Sequence, residues 1–513
     1  MPSSRLVVAY RDPSLSYPDT APFDPDQPFP EYPFDPAALS PDNPVYGAVR
    51  EVLRRCQLDI SRYGTADWNP LADLVQPGQT VLIKPNWVRH FHVAGEEVFS
   101  VITHPAVLRP LIDYAFKAVG PRGRIWVMDA PQFDADFDKL KEICRLAELE
   151  QALQNRGVPL TIADLRSLVV RIDKGVVVER RQRRDWSCEG VELDLGADSE
   201  LTELGDSLRH VFGSDYDRRL TVAFHHNQSG RPRHSYRIAR RVLEADLVIS
   251  VPKLKTHKKN GVTLNMKNMI GINTDKNYIP HYRVGSPSAG GDEFPDTQQL
   301  SKKIRRWLVR RSVDLFLGRL GRWGEQVVHG IMTFLLSWRK AISRSPLRKS
   351  ADAVDIFYHT VQGDDFRTGN WWGNDTCWRT CLDINKLLRY ATVQGQVTTT
   401  PQRAFFSLID GIVGGDEDGP MAPTPRPEGV LLAGFDPLSV DHVACQIMGF
   451  DPMRIREIRR AVQLMKFPLV DSDAPITVDS NQRSWSHRIE PGTDLKFRPH
   501  FAWRHYLQDP QHD

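Results

Sequence analysis

Cysteine is scarce in this chain. Six thiols, Cys56, Cys144, Cys188, Cys377, Cys381 and Cys445, are scattered through 513 residues, too thinly for a disulfide framework, so reduced thiols are expected. Only Cys377 and Cys381 lie close together. A C-x-x-x-C without a second Cys or His pair reads as structural or incidental, and with no C-x-x-C-x-x-C run no iron–sulfur cluster is expected. Long apolar runs are lacking too: none approaches the roughly 20 residues that span a bilayer, so no transmembrane helix is expected. The start, MPSSRLVVAYRDPS, has no basic segment leading into an apolar one and a small-residue cleavage site. A cytoplasmic address follows as the expectation. Also missing are G-x-x-x-x-G-K-[ST], G-x-G-x-x-G after a strand, G-x-S-x-G and H-E-x-x-H, which removes support for P-loop, Rossmann, serine-hydrolase and zincin chemistry.

What is present is an average soluble composition: 41% hydrophobic and 26% charged residues rule out disorder throughout and allow more than one core. The net charge of +3 conceals an uneven distribution. Residues 301–350 hold thirteen Lys or Arg against Asp314 and Glu325, a local balance of +11, so the other 463 residues carry −8. Trp307, Leu308, Leu315, Phe316, Leu320 and Trp323 alternate there with arginines at near-helical spacing, which predicts one or two basic amphipathic helices. Such a face suits docking on an anionic membrane, at the inner membrane surface, or on a protein partner. Packing of the apolar stripe on the host domain, with the arginines solvated, is an equal alternative. Nucleic acid is not an expected partner, because no binding module accompanies the patch.

Strand and helix patterns alternate along most of the chain. Leu6 to Tyr10 reads as a strand, and the Pro-, Asp- and Phe-rich stretch that follows reads as an extended arm anchored by its aromatics. VYGAVREVLRRC is helical, TVLIKPNW a strand, and THPAVLRPLIDYAFKAVG a helix with Thr103 as N-cap, Pro105 in its first turn and Gly120 beyond its end. RIWVMDAP is a strand and residues 139–154 one helix; RIARRVLEA is a helix, DLVISVPKLKTH a strand and loop, and GVTLNMKNMIGI a helix. This predicts an α/β fold: a mostly parallel sheet with helices on both faces, plus a β-rich insertion and a basic helical insertion. The expected division is an arm (1–42), a first α/β half (43–168), the β-rich insertion (169–234), a second half (235–277), the helical insertion (278–375), completion of the core (376–470) and a tail (471–513).

Ligands of open α/β sheets sit beyond the carboxyl ends of the strands, and polar residues bunch there in this sequence. Lys253, Lys255 and His257 alternate on one extended stretch, and Lys267 with Asn268 follows on the next helix. Ammonium groups crowded beside one sheet edge repel unless an anion neutralises them, which points to a pocket for a phosphate or carboxylate. The plainer reading, solvated lysines around a loop, fits less well with such apolar neighbours. DGIVGGDEDG supplies Asp410 and Asp416 for lysine pairing or a hard cation; a plain acidic turn is an equal alternative. Asp441 is more simply a helix-terminus charge than a ligand. His104 helps the cap of its helix or an anion site there. Trp87 reads as core, and adjacent His225 and His226 point apart on a strand.

The series IKPNWV, THP, MDAP, ADLVISVPKLKTHKKNGVTLNMKNMIG, DGIVGGDEDGP and VLLAGFDPLSVDHVACQIMGF resembles the DUF362 family, over about residues 75–165, 235–275 and 400–450. The resemblance implies an α/β fold. It places the family's blocks on Lys84, Asn86, His104, Asp129, Lys253, Lys255, His257, Lys267, Asn268, Asp410 and Asp441. It supplies no reaction. The iron–sulfur portion of some relatives is absent here, and the arm and basic insertion are additions.

The expectation is therefore an enzyme binding an anionic small molecule or sugar-phosphate in a cleft lined by Lys, His and Asp, with its reaction unassigned. Catalytic roles fall to His257, Lys255 and Asp410, His257 because its ordinary pKa lies near neutrality. Ligand binding falls to Lys84, Asn86, His104, Lys253, Lys267 and Asn268, and a divalent cation to Asp129, Asp416 and Asp441. The alternative is a non-catalytic scaffold docking through residues 301–350.

Overall fold

The computed structural model describes residues 5–35, 39–40, 42–173, 176–213, 218–227, 231–297, 368–470 and 474–508. The basic helices expected within 301–350 lie outside the described residues. Ten strands form the main sheet: β1 (Leu6–Arg11), β2 (Thr80–Pro85), β3 (Arg124–Asp129), β4 (Leu160–Asp164), β5 (Leu247–Val251), β6 (Lys253–His257), β7 (Gly261–Val262), β8 (Ala404–Asp418), β9 (Ala422–Gly434) and β10 (Thr477–Ser480). Their order is β10-β1-β9-β8-β5-β2-β3-β4, with β6 pairing β8 and β7 at the side. From β8 through β5, β2 and β3 to β4 the strands run parallel; β9 is antiparallel to both β8 and β1. The expected α/β architecture is the one found.

Side-chain alternation along β2 shows why both faces are covered. Val81 and Ile83 enter one apolar core, which also holds residues of α1 (Pro44–Arg55), α2 (Pro105–Val119), α3 (Phe137–Ile143) and α4 (Leu146–Asn155). Leu82 points the other way, into a core shared with Met269, Ile384 and Leu387. A strand buried on both faces needs helices on both, and the apolar strand sequences supply nothing polar to offer water.

Local expectations fail where tertiary packing sets the phase. The helix expected over 139–154 is two, because Arg145 takes a left-handed φ of 48°. Leu140 and Cys144 are buried in the first, Leu146, Leu149 and Leu153 in the second; one continuous helix from Leu140 would turn exposed positions such as Ala147 and Gln151 inward. RIARRVLEA opens as strand: Arg233–Ala239 pairs with Gly190–Asp194, burying Tyr236 and Ile238 alternately, and leaves only Arg240–Leu243 helical. Thr103 is not the cap of α2. Its hydroxyl donates to the Val251 carbonyl (2.6 Å) and accepts from Asn86 N (2.8 Å), and His104 caps instead, its Nδ1 accepting from Ala106 N at 3.1 Å.

The N-terminal arm is pinned by charge as well as by aromatics. Arg109 on α2, fully buried, contacts Asp113 at 2.9 Å and reaches into the arm to Asp24 (2.7 Å) and the Pro22 carbonyl (2.5 Å). Arg50 on α1 meets Glu31 at 2.5 Å. Removing one member of a buried ion pair leaves its partner uncompensated, so Arg109→Met is expected to lower unfolding stability by about 3–5 kcal/mol. Urea titration reads this, and a loss below about 1 kcal/mol would show that the arm is held by other contacts.

Candidate functional site

Because β2, β3, β5 and β8 are neighbours, their polar carboxyl-end residues are delivered side by side. Lys84, the penultimate residue of β2, lies 2.7 Å from Asp129 at the end of β3. Its ammonium also donates to the Pro85 carbonyl (2.7 Å) and to Asn268 Oδ1 (3.2 Å). Asn86 Nδ2 donates to the same Asn268 oxygen at 3.3 Å, and Asp129 Oδ2 accepts from Trp87 N at 2.6 Å. This pair is covered by backbone: a Cβ at Gly271 would lie 2.1 Å from Asp129 Oδ1 and 2.6 Å from Lys84 Nζ, so only glycine fits.

A second buried pair stands alongside. Lys253 Nζ is 3.0 Å from Asp410 Oδ2, with both side chains fully buried. Tyr17 from the arm completes it, accepting from Lys253 at 2.9 Å and donating to Asp410 Oδ1 at 2.6 Å. The Tyr17 ring stacks on His104 (centroids 4.2 Å, 11° between planes), and His104 N donates to Asp410 Oδ2 at 3.1 Å. Burial lowers the pKa of Lys84 and of Lys253, opposed by Asp129 and Asp410 respectively. Burial, reinforced by Lys253, drives His104 well below its ordinary value and keeps its ring neutral.

The remaining lysines are treated differently. Lys255 Nζ donates to two backbone carbonyls, Val101 (2.5 Å) and Pro420 (3.1 Å). Lys259 Nζ donates to the Thr368 carbonyl and sits 5.2 Å from the Tyr282 ring centre. Lys267, on the short helix α5 (Leu264–Asn268), contacts Cys377 Sγ at 3.5 Å. Among the described residues none of these three meets a carboxylate at ion-pairing distance. All three act on His257: burial first, then Lys267, Lys259, Lys255 and Lys258, push its pKa well below the ordinary value. Its Nδ1 accepts from Lys259 N at 3.1 Å, so the neutral ring carries its proton on Nε2.

Among the described residues the three acidic positions are engaged separately. Asp129 serves Lys84; Asp416 meets Arg426 at 3.1 Å and Arg498 at 3.3 Å. Asp441 lies inside α7 (Pro437–Met448), whose N-cap is Asp436, and instead accepts from Asn265 N (2.9 Å), Asn265 Nδ2 (2.8 Å) and Met266 N (2.9 Å), holding the start of α5. Burial raises its pKa to about 7. Among the described residues there is no cluster of three or more His, Cys, Asp or Glu arranged for a metal. Trp87 is core, as expected.

Two features escaped the sequence. One is Tyr17, whose only signal was an aromatic in a Pro-rich arm. The other is the Cys377–Cys381 pair opening helix α6 (Cys377–Tyr390), brought against Lys267 across 110 residues. A separate cavity of about 560 Å³ is lined by arginines including Arg283, Arg379, Arg456 and Arg460, with Trp371 and Trp378, and by none of the residues expected to bind ligand. Those four arginines already meet Asp292, Glu203, Asp375 and Glu200 at 3.4, 2.7, 3.5 and 2.8 Å.

A family model described as a domain of unknown function, DUF362, matches residues 195–446. That span holds Lys253 through Asn268, Cys377, Cys381, Asp410 and Asp441; Lys84, Asn86, His104 and Asp129 precede it. No curated protein and no solved structure matches the chain.

Lys253→Met would strand the Asp410 carboxylate and is expected to lower stability by about 3–5 kcal/mol. Tyr17→Phe, which removes one hydroxyl from the same group, should cost about 1–2 kcal/mol. Chemical unfolding of both variants checks the order; equal losses would contradict the ion pair as the stronger element.

Proposed function

We propose that this DUF362-domain chain is an enzyme for an anionic small molecule, bound over β6 and α5 by Lys255, Lys259 and Lys267. What carries the reading is the contrast among the lysines. Lys84 and Lys253 have internal carboxylates, whereas Lys255, Lys259 and Lys267 crowd around His257 with none at ion-pairing distance among the described residues. Desolvating an ammonium without a counter-charge costs several kcal/mol, and a phosphate or carboxylate ligand offsets that cost. Lys255, whose bonds to the Val101 and Pro420 carbonyls use two N–H groups, offers the ligand a third only as an ammonium; burial and then Lys253 push its pKa well below the ordinary value, so the bound anion is what holds it charged.

His257 then takes a definite role. As a neutral imidazole protonated on Nε2 it donates a hydrogen bond to an oxyanion, which suits stabilisation of negative charge better than proton abstraction. Asp410 is a positioning residue in this reading, since Lys253, Tyr17 and His104 N already engage both its oxygens. Lys84, Asn86, Asn268 and Asp129 form the rigid floor behind the ligand.

Inorganic phosphate and citrate are suitable probes in a thermal-unfolding titration of the full chain. At about 100-fold excess over Kd a ligand that binds only the folded state adds roughly 2.7 kcal/mol, so the melting temperature should rise. Lys259→Met and His257→Gln should each lose most of the rise while keeping the ligand-free melting temperature close to wild type. An undiminished rise in both variants would refute the assignment.

A further inference from the structure

We propose that Cys377 is a nucleophilic thiolate at the edge of this anion site, adding to the electrophilic carbon of an anionic carbonyl compound. The inference rests on the functional reading above and assigns the reacting group within it. Cys377 is the first residue of a 14-residue helix, where unpaired backbone N–H groups and the helix dipole favour negative charge. Lys267 Nζ lies 3.5 Å from its sulfur, and Lys259 is within electrostatic range. Cys381, one turn along the same face, is held by Asn260 Nδ2 at 3.3 Å, and its sulfur lies 3.2 Å from the Cys377 carbonyl oxygen.

These contacts set the protonation states. A hydrogen bond from Cys381, followed by the charges of Lys267 and Lys259, outweighs burial and draws the Cys377 pKa down to about 6. Burial instead lifts Cys381 well above its ordinary value, so it stays a thiol and serves as donor. Burial works against the Lys267 ammonium, yet the cysteines and Glu457 raise its pKa, as a thiolate–ammonium pair requires. Cys56 and Cys144, packed in apolar core, are pushed up by burial. The difference is one of surroundings, and it singles out one of six thiols.

In the step proposed, a sulfur lone pair forms the C–S bond while the carbonyl π pair moves onto oxygen. The resulting alkoxide accepts a hydrogen bond from His257 Nε2–H and takes a proton from the Lys259 ammonium, so charge and atoms balance with no external oxidant or reductant. Approach is from the side of Lys259 and His281, which are half-buried and within electrostatic range of Lys267.

Alkylation of the folded full-length chain by iodoacetate and by iodoacetamide, from about pH 5 to about pH 9 with peptide mapping, tests this. The expected result is modification of Cys377 with a half-point below the ordinary thiol range, and faster reaction with the carboxylate reagent than with the neutral amide. Lys267→Met should move the half-point up by at least about one pH unit and abolish the preference for iodoacetate. Cys377→Ser, unchanged in melting temperature, should lose the fast phase. The proposal fails if Cys377 is inert in the folded chain but reacts after denaturation, or if its reactivity appears only above about pH 8. The two readings separate cleanly. An inert Cys377 alongside phosphate-induced stabilisation removes the nucleophile alone, whereas a reactive Cys377 with no stabilisation or protection by phosphate removes the anion site.

Discussion

The buried triad of Lys253, Asp410 and Tyr17 ties together three distant parts of the chain. Tyr17 and Asp410 are 393 residues apart in sequence and 2.6 Å apart through their oxygens. An ammonium and a carboxylate taken out of water together are tolerable when their hydrogen-bonding groups find partners, and here a phenol and the His104 amide add to the ion pair. The consequence is positional. With β6 fastened to β8 at Lys253, Lys255 and His257 follow on the same strand, Lys255 opposite Gly415 of β8, toward α5 and the start of α6, which meet through Lys267 and Cys377.

The Lys84–Asp129 pair does the same for β2 and β3, and Gly271 shows how tightly the chain covers it. Once these two pairs have used their carboxylates, none among the described residues is left within ion-pairing distance of Lys255, Lys259 or Lys267. Two solutions to that imbalance coexist: Lys255 loses proton affinity, and Lys267 shares charge with a thiol made acidic by the same lysines. Both are features that active sites use to poise groups near neutrality. The basic, Trp-bearing cavity elsewhere differs in kind, since its arginines named above have carboxylate partners.

Much of this was legible in the residues. Apolar strands ending in Lys84 and Asp129, with Lys253 just beyond a third, pointed to one crowded edge, because in a parallel sheet the carboxyl ends of neighbouring strands share one side. The α/β alternation followed from periodicity alone. Other features depend on contacts no local pattern encodes. Nothing near Tyr17 marks it as a partner of Asp410, and a C-x-x-x-C motif gains meaning only when Lys267 arrives from α5. Asp441 looked like a charge for its own helix and holds the start of another. The expected N-cap Thr103 spends its hydroxyl on β5, so His104 caps. The break at Arg145 is set by the phase of buried leucines on the sheet rather than by a glycine or proline.

The central claim is that positive charge left over by the two buried pairs is shaped to receive an anion beside His257. Crystals of the full-length chain soaked with selenate, located by its anomalous signal, test it most directly. The account predicts an ion within hydrogen-bonding reach of His257 Nε2 and of at least one of Lys255, Lys259 and Lys267. Selenate found only in the cavity of Arg283 and Arg379, with the His257 region empty of it at saturating concentration, would contradict the account.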